Sequence, residues 1–392
     1  MLTLIAWLIL IAILVPNLVI AVELLAGSNP RGLPLPGAPV PQVTVLMPAH
    51  DEAAVIGPIV DTVLERLPEG GRLLVVADNC SDDTAQIARA AGAEVVERQD
   101  PTKRGKGFAL DFGRSHLQAS PPDVVVVLDA DCIPEPRAIE RLARGAVAHG
   151  RPVQATYLFE PQPTGSPMLQ ISGFAFLVKN LVREAGLERI GAPVVLTGSG
   201  MAFPWQAFAA APLDTGDIVE DLAIGVALAR QRLSPRFDAA ARIWTKPAAT
   251  GSTLGQRTRW EHGFIATARR TGLPLVREGM RTRRPGLSWL GLHLLVPPLA
   301  LLLAIDAAAL ALLLGATLLG AARAPFLLAL ILVGLVVAGV LLAWRRHGRE
   351  QVTAGTLARV PLYLLWKLPI YLKLVRGGAE TQWVRTDRTG DE

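Results

Sequence analysis

The chain has 392 residues, 51% of them apolar and 19% charged, and its mean hydropathy is +0.37. That balance excludes disorder, collagen and coiled coil, and two cysteines without CxxC or Cys/His spacing exclude a disulfide scaffold or zinc site. The net charge of +5 carries 33 arginines among 39 basic residues, with no basic run interleaved with aromatics, so nothing points to nucleic acid.

The apolar excess sits at the two ends. Residues 2–22 carry no formal charge and supply the roughly 20 apolar residues a membrane crossing needs. They lack the basic n-region of a signal peptide, so 1–23 reads as an uncleaved anchor. Residues 24–41, including PRGLPLPGAPVP, read as a Pro/Gly linker ahead of a soluble-type domain at 42–284.

That domain alternates short apolar strands with helical stretches. Strands are predicted at 43–48, 73–78, 93–98 and 124–131, and helices at 52–67, 82–91 and 107–118. Strict alternation with apolar strands predicts a parallel sheet covered on both faces, whose ligands sit outside the carboxyl ends of the strands. Carboxylates crowd those ends: His50-Asp51-Glu52 after the first, Asp78 after the second, and Asp129 and Asp131 at the fourth. Their mutual repulsion calls for a cation, and Asp129-Ala130-Asp131 suits a hard divalent ion beside a diphosphate. Asp82 and Asp83 also fit a helix cap. Lys103-Arg104-Gly105-Lys106-Gly107 opens a helix from a loop that could meet phosphate, and neither GxGxxG nor GxxxxGK[ST] is present.

Residues 285–344 read as a two-span hairpin. An interfacial turn around Trp289 and His293 leads to a span from Pro297 to Leu319 and a second from Phe326 to Trp344. Asp306 lies inside the first span, where an acid usually faces another helix or a water-filled cavity. Arg281, Arg283 and Arg284 before the pair, and Arg345, Arg346 and Arg349 after it, outweigh the lone Arg323 between. The positive-inside rule then places the middle domain on the cytoplasmic side of an inner or plasma membrane. Residues 345–392 read as an interfacial amphipathic helix, interrupted by Pro361, Lys367, Pro369 and Lys373, and a cytosolic tail.

In order and spacing, PAHDE (48–52), ADNCSDDT (77–84), KRGKG (103–107), DAD (129–131), GSGMAF (198–203), VED (219–221) and QRTRW (256–260) resemble the family 2 glycosyltransferases. The resemblance is in particular to their membrane-integrated branch, which includes cellulose, hyaluronan and poly-N-acetylglucosamine synthases. The resemblance implies an α/β GT-A fold and an inverting transfer from a nucleotide-diphospho-sugar, usually a UDP-sugar, with Mg2+ or Mn2+. It implies that Glu52 and Asp78 hold ribose and uracil, with His50 beside them, and that Lys106 lies near the nucleotide. Asp129 and Asp131 match the acids at the sugar diphosphate and metal. Asp221 matches the catalytic base with Glu220 next to it, although Val219 stands where Thr is commoner. Gln256 and Arg259 match groups that approach the pyrophosphate, and Trp260 matches the acceptor wall; Trp260 also fits an interfacial anchor.

The chemistry is consistent with those roles. Inversion needs a carboxylate facing the attacking hydroxyl, while cations stabilise the departing diphosphate. Positions 256, 259 and 260 share one helical face. The acceptor is a growing polysaccharide or a lipid-linked glycan at the bilayer, and few spans for export call for a partner or homo-oligomer. A non-catalytic scaffold has no need of these acids, and a transporter would need more spans. Residues 166–184 fit a helix lying at the membrane or a core helix. Trp383-Val384-Arg385-Thr386 fits a segment folding over the nucleotide or a disordered tail.

Overall fold

The computed structural model of the protein describes residues 1–375 except 36, 38, 216–218 and 248–249, with backbone alone over 250–260 and 368–375. The tail motif at 383–386 therefore lies outside the described residues. The chain forms two compact units. Among the described residues, one comprises 30–160 and 193–252, and the other comprises 1–29, 161–192 and 253–375.

The first unit is built on one eight-stranded sheet: β1 (Val43–Ala49), β2 (Arg72–Asp78), β3 (Glu94–Arg98), β4 (Val124–Val127), β5 (Cys132–Pro134), β6 (Val153–Phe159), β7 (Met201–Pro204) and β8 (Arg236–Thr245). Its order is β3-β2-β1-β4-β7-β6-β8-β5. The four strands read from sequence pair in parallel, and their alternation with helices dictates it, since parallel neighbours need a crossover. The sheet is mixed rather than wholly parallel, because β7 pairs antiparallel with both β4 and β6. The residues of β1, β2 and β4 are almost wholly buried, which explains why their sequence reads as unbroken Val and Leu. Helix Lys106–Leu117 lays Ala109, Leu110 and Leu117 against Leu46, Leu74 and Val76. Each such fully buried Leu contributes about 1.5–3 kcal/mol relative to exposure.

Several predicted boundaries shift for local reasons. The fourth strand ends at Val127, not residue 131, because Gly200 N donates to the Val127 carbonyl and Asp129 N turns to the Ser199 hydroxyl. The first helix begins at Ile56, since Asp51 takes a positive φ of 53° and Val55 and Ile56 close onto the Glu52 carbonyl. Asp83 takes the N-cap position of helix Thr84–Ala90 without a side-chain cap bond, and Asp82 Oδ1 instead accepts from Thr84 N at 3.0 Å. Part of the predicted linker is anchored, with Leu33 buried, its N–H on Asp238 and its carbonyl on Arg141.

In the second unit, three helices are long and apolar enough to cross a membrane: Leu2–Ala26, Leu299–Leu318 and Ala324–Gly348, the last including a π-helical end. Ala6, Leu10 and Ile13 pack with Leu313, Ala329 and Leu332, while Leu8, Ile11, Leu312 and Ile331 stay exposed. The segment 161–192 clusters with this unit. Its helices Pro167–Leu177 and Glu184–Arg189 flank a π-helical stretch, Val178–Arg183, and side-chain-free Gly27 and Gly186 let it approach the N-terminal helix backbone closely. Asp306 is buried and accepts from Asn17 Nδ2 at 2.8 Å, so it serves a helix contact. Glu23 is likewise buried, paired with Arg183 at 2.7 Å and His293 at 2.9 Å. Helix Val360–Val375 carries a buried Lys367 paired with Glu261.

Gly200 shows the tolerance of the sheet most sharply. Its φ is +69°, and a Cβ there would lie 2.7 Å from Ile243 Cγ1 and 2.8 Å from Ala155 Cβ. Gly200→Ala is expected to destabilise the protein by about 2–4 kcal/mol, combining left-handed strain with overpacking. Thermal and denaturant unfolding of the variant beside wild type checks this; unchanged midpoints would contradict it.

Candidate active site

The site lies at the carboxyl rim of β1, β2 and β4, within the sheet unit. One group of side chains surrounds Lys106, the first residue of helix Lys106–Leu117. Its Nζ pairs with Asp129 and donates to the Gly198 carbonyl at 2.6 Å. A Cβ built on Gly198 would lie 3.5 Å from that Nζ and 3.4 Å from Asp221 Oδ2, so the GSG turn, with positive φ at Gly198 and Gly200, brings the VED segment to the lysine. Burial alone would lower the Lys106 pKa, but the charges of Asp129, Glu220 and Asp221 hold it above its ordinary value.

Glu220 and Asp221 open helix Glu220–Arg230, where the helix dipole favours acids. Glu220 is 8% exposed, and burial first, then the neighbouring Asp221 charge, push its pKa up to about 8, with Lys106 opposing. Burial and the Asp221 charge thus bias Glu220 toward its neutral form, as like charges sharing one site do.

Asp129 and Asp131 follow β4 in a turn. A Ser199 hydroxyl accepts from Asp129 N at 3.1 Å, and Thr245 Oγ1 donates to Asp131 Oδ2 at 2.9 Å. Ligand atoms of Asp129, Asp131 and Cys132 lie within 4.8 Å of one another. Burial and the adjacent acids push the Cys132 thiol pKa well up, so it is a neutral S–H and not a thiolate ligand. The remaining donors are carboxylate oxygens, a set that fits Mg2+ or Mn2+.

A second group forms where β1 and β2 end. His50 Nδ1 donates to the Asp78 carbonyl at 2.7 Å, and Glu52 N donates to Thr84 Oγ1 at 2.7 Å. Asp78 is 6% exposed, and its Oδ1 accepts from Arg98 at 2.6 Å and from Asn79 at 3.1 Å. Sequence reasoning missed Arg98, although it ends β3 directly opposite Asp78 in the strand register. Aligning the ends of the predicted strands 73–78 and 93–98 would have paired the two. Arg98 also donates to the Lys103 carbonyl at 2.9 Å, which ties the strand end to the loop that leads into Lys106.

Of the predicted residues, Lys106, Asp129, Glu220 and Asp221 are thus gathered around one ammonium, Asp131 stands beside Asp129, and His50, Glu52 and Asp78 form the adjoining group. Gln256, Arg259 and Trp260 lie on helix Thr250–Arg281, and their side chains are outside the described residues.

Comparison with known proteins gives a consistent picture. The profile of the family described as "Glycosyltransferase like family 2" matches residues 41–263. A glucosyl-3-phosphoglycerate synthase of Mycolicibacterium paratuberculosis is 37% identical over 129 residues, covering 31% of this chain and 38% of that protein. One from Mycobacterium tuberculosis is 32% identical over 167 residues, covering 37% of this chain and 50% of its own length. The chain therefore spans half or less of the length of these curated relatives. A Pyrobaculum calidifontis mannosyltransferase, solved in complex with GDP-Man and Mn2+, shares the fold with a TM-score of 0.57 at 18% identity, over 94% of this chain and 100% of that one.

The raised Glu220 pKa makes stability fall with pH. The folded protein holds a proton on Glu220 that the unfolded chain releases near pH 4.5, so the contribution is complete below that pH and lost as pH rises through about 8. Glu220→Gln should flatten this slope and raise stability at pH 8–9 by a few kcal/mol, on the order set by the shift. Denaturant melts of both proteins from pH 5 to 9 check it; parallel profiles would reject it.

Proposed function

The chain belongs to glycosyltransferase family 2 and has the GT-A fold, and on that premise we propose that it transfers a sugar from a nucleotide-diphospho-sugar to a growing polysaccharide at a membrane. The observation that carries this reading is the convergence of Lys106, Asp129, Glu220 and Asp221, with Asp131 beside them, at the carboxyl rim of the sheet.

Asp221 is the general base. It stands at a helix start beside Glu220, whose burial favours its neutral form, so Asp221 is the carboxylate of the pair that faces the acceptor hydroxyl as that hydroxyl attacks the anomeric carbon. Asp129 and Asp131 would hold the divalent ion, which when bound supplies charge stabilisation for the leaving diphosphate. Lys106, with its ammonium held charged by three acids, supplies a further cation at the phosphates. His50, Glu52 and Asp78 face ribose and base. The GDP-Man and Mn2+ held by the mannosyltransferase of like fold support both the donor class and the ion. Gln256 and Arg259 at the pyrophosphate and Trp260 at the acceptor complete the assignment by motif.

The three apolar helices and the arginines that flank them support an integral membrane protein with its sheet unit on the cytoplasmic side, where activated sugars are made. Three spans also favour a second reading, a single transfer to a lipid-linked acceptor, because so few helices build no export channel alone.

Purified full-length protein, supplied with Mn2+ and a panel of UDP- and GDP-sugars, should release nucleoside diphosphate. Asp221→Asn should lower that release by roughly 10²–10⁴-fold. Chelation with EDTA should abolish it, and added Mn2+ or Mg2+ should restore it. Sizing of labelled product separates a ladder of lengths from one added sugar. Release by Asp221→Asn at the wild-type rate would remove Asp221 from its role.

A further inference from the structure

Arg98 is nearly buried, at 9% exposure, and every polar contact it makes lies at the edge of the donor site. Its guanidinium holds Asp78 Oδ1 at 2.6 Å, the Lys103 carbonyl at 2.9 Å and Asp100 Oδ2 at 3.2 Å, with Phe108 5.7 Å from its carbon. Its own carbonyl accepts from Asn79 N at 2.7 Å, and Asn79 Oδ1 accepts from Asp100 N at 2.7 Å. Asn79 adopts a positive φ of 53° within this weave. Both described hydrogen bonds to the Asp78 side chain therefore fall on Oδ1. Among the described residues none falls on Oδ2, which keeps its lone pairs available at the rim.

We propose that Arg98 is a positioning residue for base recognition: by fixing Asp78 Oδ1, it presents Asp78 Oδ2 as an oriented acceptor that selects a nucleotide whose base carries a ring N–H on its pairing edge, uracil or guanine. This rests on the donor-site reading given above. An ionised carboxylate accepts hydrogen bonds only. Uracil and guanine set a ring N–H toward it, whereas cytosine and adenine set a bare ring nitrogen there, whose lone pair is repelled. A carboxylate free to rotate could instead meet the exocyclic amino group of cytosine or adenine, so selectivity requires that Asp78 be held. Arg supports this better than Lys, because Nη1 holds Asp78 and the Lys103 carbonyl while Nη2 of the same planar fork holds Asp100. The same fork ties base reading to the loop that delivers Lys106 to the diphosphate side of the site.

The test measures dissociation constants of UDP, GDP and CDP, with Mn2+ present, on full-length wild type, Arg98→Met, Arg98→Lys and Asp78→Asn, alongside thermal melts. Wild type should bind UDP or GDP at least about tenfold more tightly than CDP, the scale of one charged hydrogen bond. The tighter of the two names the base. Arg98→Met should bring that ratio to within about threefold, chiefly by weakening the preferred nucleotide, and Asp78→Asn should do the same. Arg98→Lys should fall between, and it carries the test if Arg98→Met fails to fold. An unchanged ratio in a folded Arg98→Met or Arg98→Lys, with the ratio lost in Asp78→Asn, overturns the role of Arg98 and leaves the donor reading standing. Wild type that binds none of the three nucleotides overturns the donor reading and this proposal with it.

Discussion

Carboxylates from separate stretches of chain meet at one sheet rim, and the structure holds them there by setting cations among them. Lys106 faces Asp129, Glu220 and Asp221, and Arg98 faces Asp78 and Asp100. Like charges brought together in partly buried surroundings relax in one of two ways: an opposite charge joins them, or one group takes up a proton. Both occur here. Lys106 stays charged against its own burial, and Glu220 is driven toward its neutral form. The consequence is that two adjacent acids, Glu220 and Asp221, are set apart by environment alone, with Glu220 the one pushed toward neutrality.

The same logic appears in the apolar unit with different partners. Glu23 is fully buried, yet it has Arg183 and His293 within hydrogen-bond distance and the Trp289 indole at 3.3 Å. Asp306 has, among the described residues, the amide of Asn17 as its side-chain partner. Removing one partner of such a group leaves the other buried without compensation, which costs more than the pair itself contributes. These contacts join the N-terminal helix to helices far along the chain, and Gly27 and Gly186 permit the backbone approach that accompanies them. Polar groups in apolar surroundings act here as specific joints between elements that apolar packing alone would leave free to slide.

What the sequence disclosed follows from the range of each signal. The strands β1 to β4 and the intervening helices were legible because their apolar runs and alternation are local. Asp78, Asp129 and Asp131 were legible because the ends of parallel strands share a rim. The antiparallel β7 escaped, because four residues of MAFP carry little pattern and owe their pairing to neighbours already in place. That the Asp82 carboxylate, and not that of the N-cap residue Asp83, reaches Thr84 N is a matter of backbone geometry beyond spacing. Arg98 read as an ordinary strand-end charge until its register with Asp78 gave it a partner. Segment 161–192 was assigned to the soluble-type domain because the chain gives no composition break there, although its small and apolar residues pack on the N-terminal helix.

This last point bears on how the catalytic unit and the apolar unit coexist. Their segments interleave: the chain passes from the apolar unit into the sheet unit at Pro30, leaves it after Glu160, returns at Pro193 and leaves again after Ser252. Neither unit is a continuous stretch of chain. VED and GSGMAF lie between two of these crossings, and QRTRW follows the later one by only a few residues. The segment that presents Asp221 is therefore bounded at each end by helices of the apolar unit. Connectivity alone therefore ties the Asp221 segment to both units, because each of its ends runs on into residues that cluster with the apolar helices.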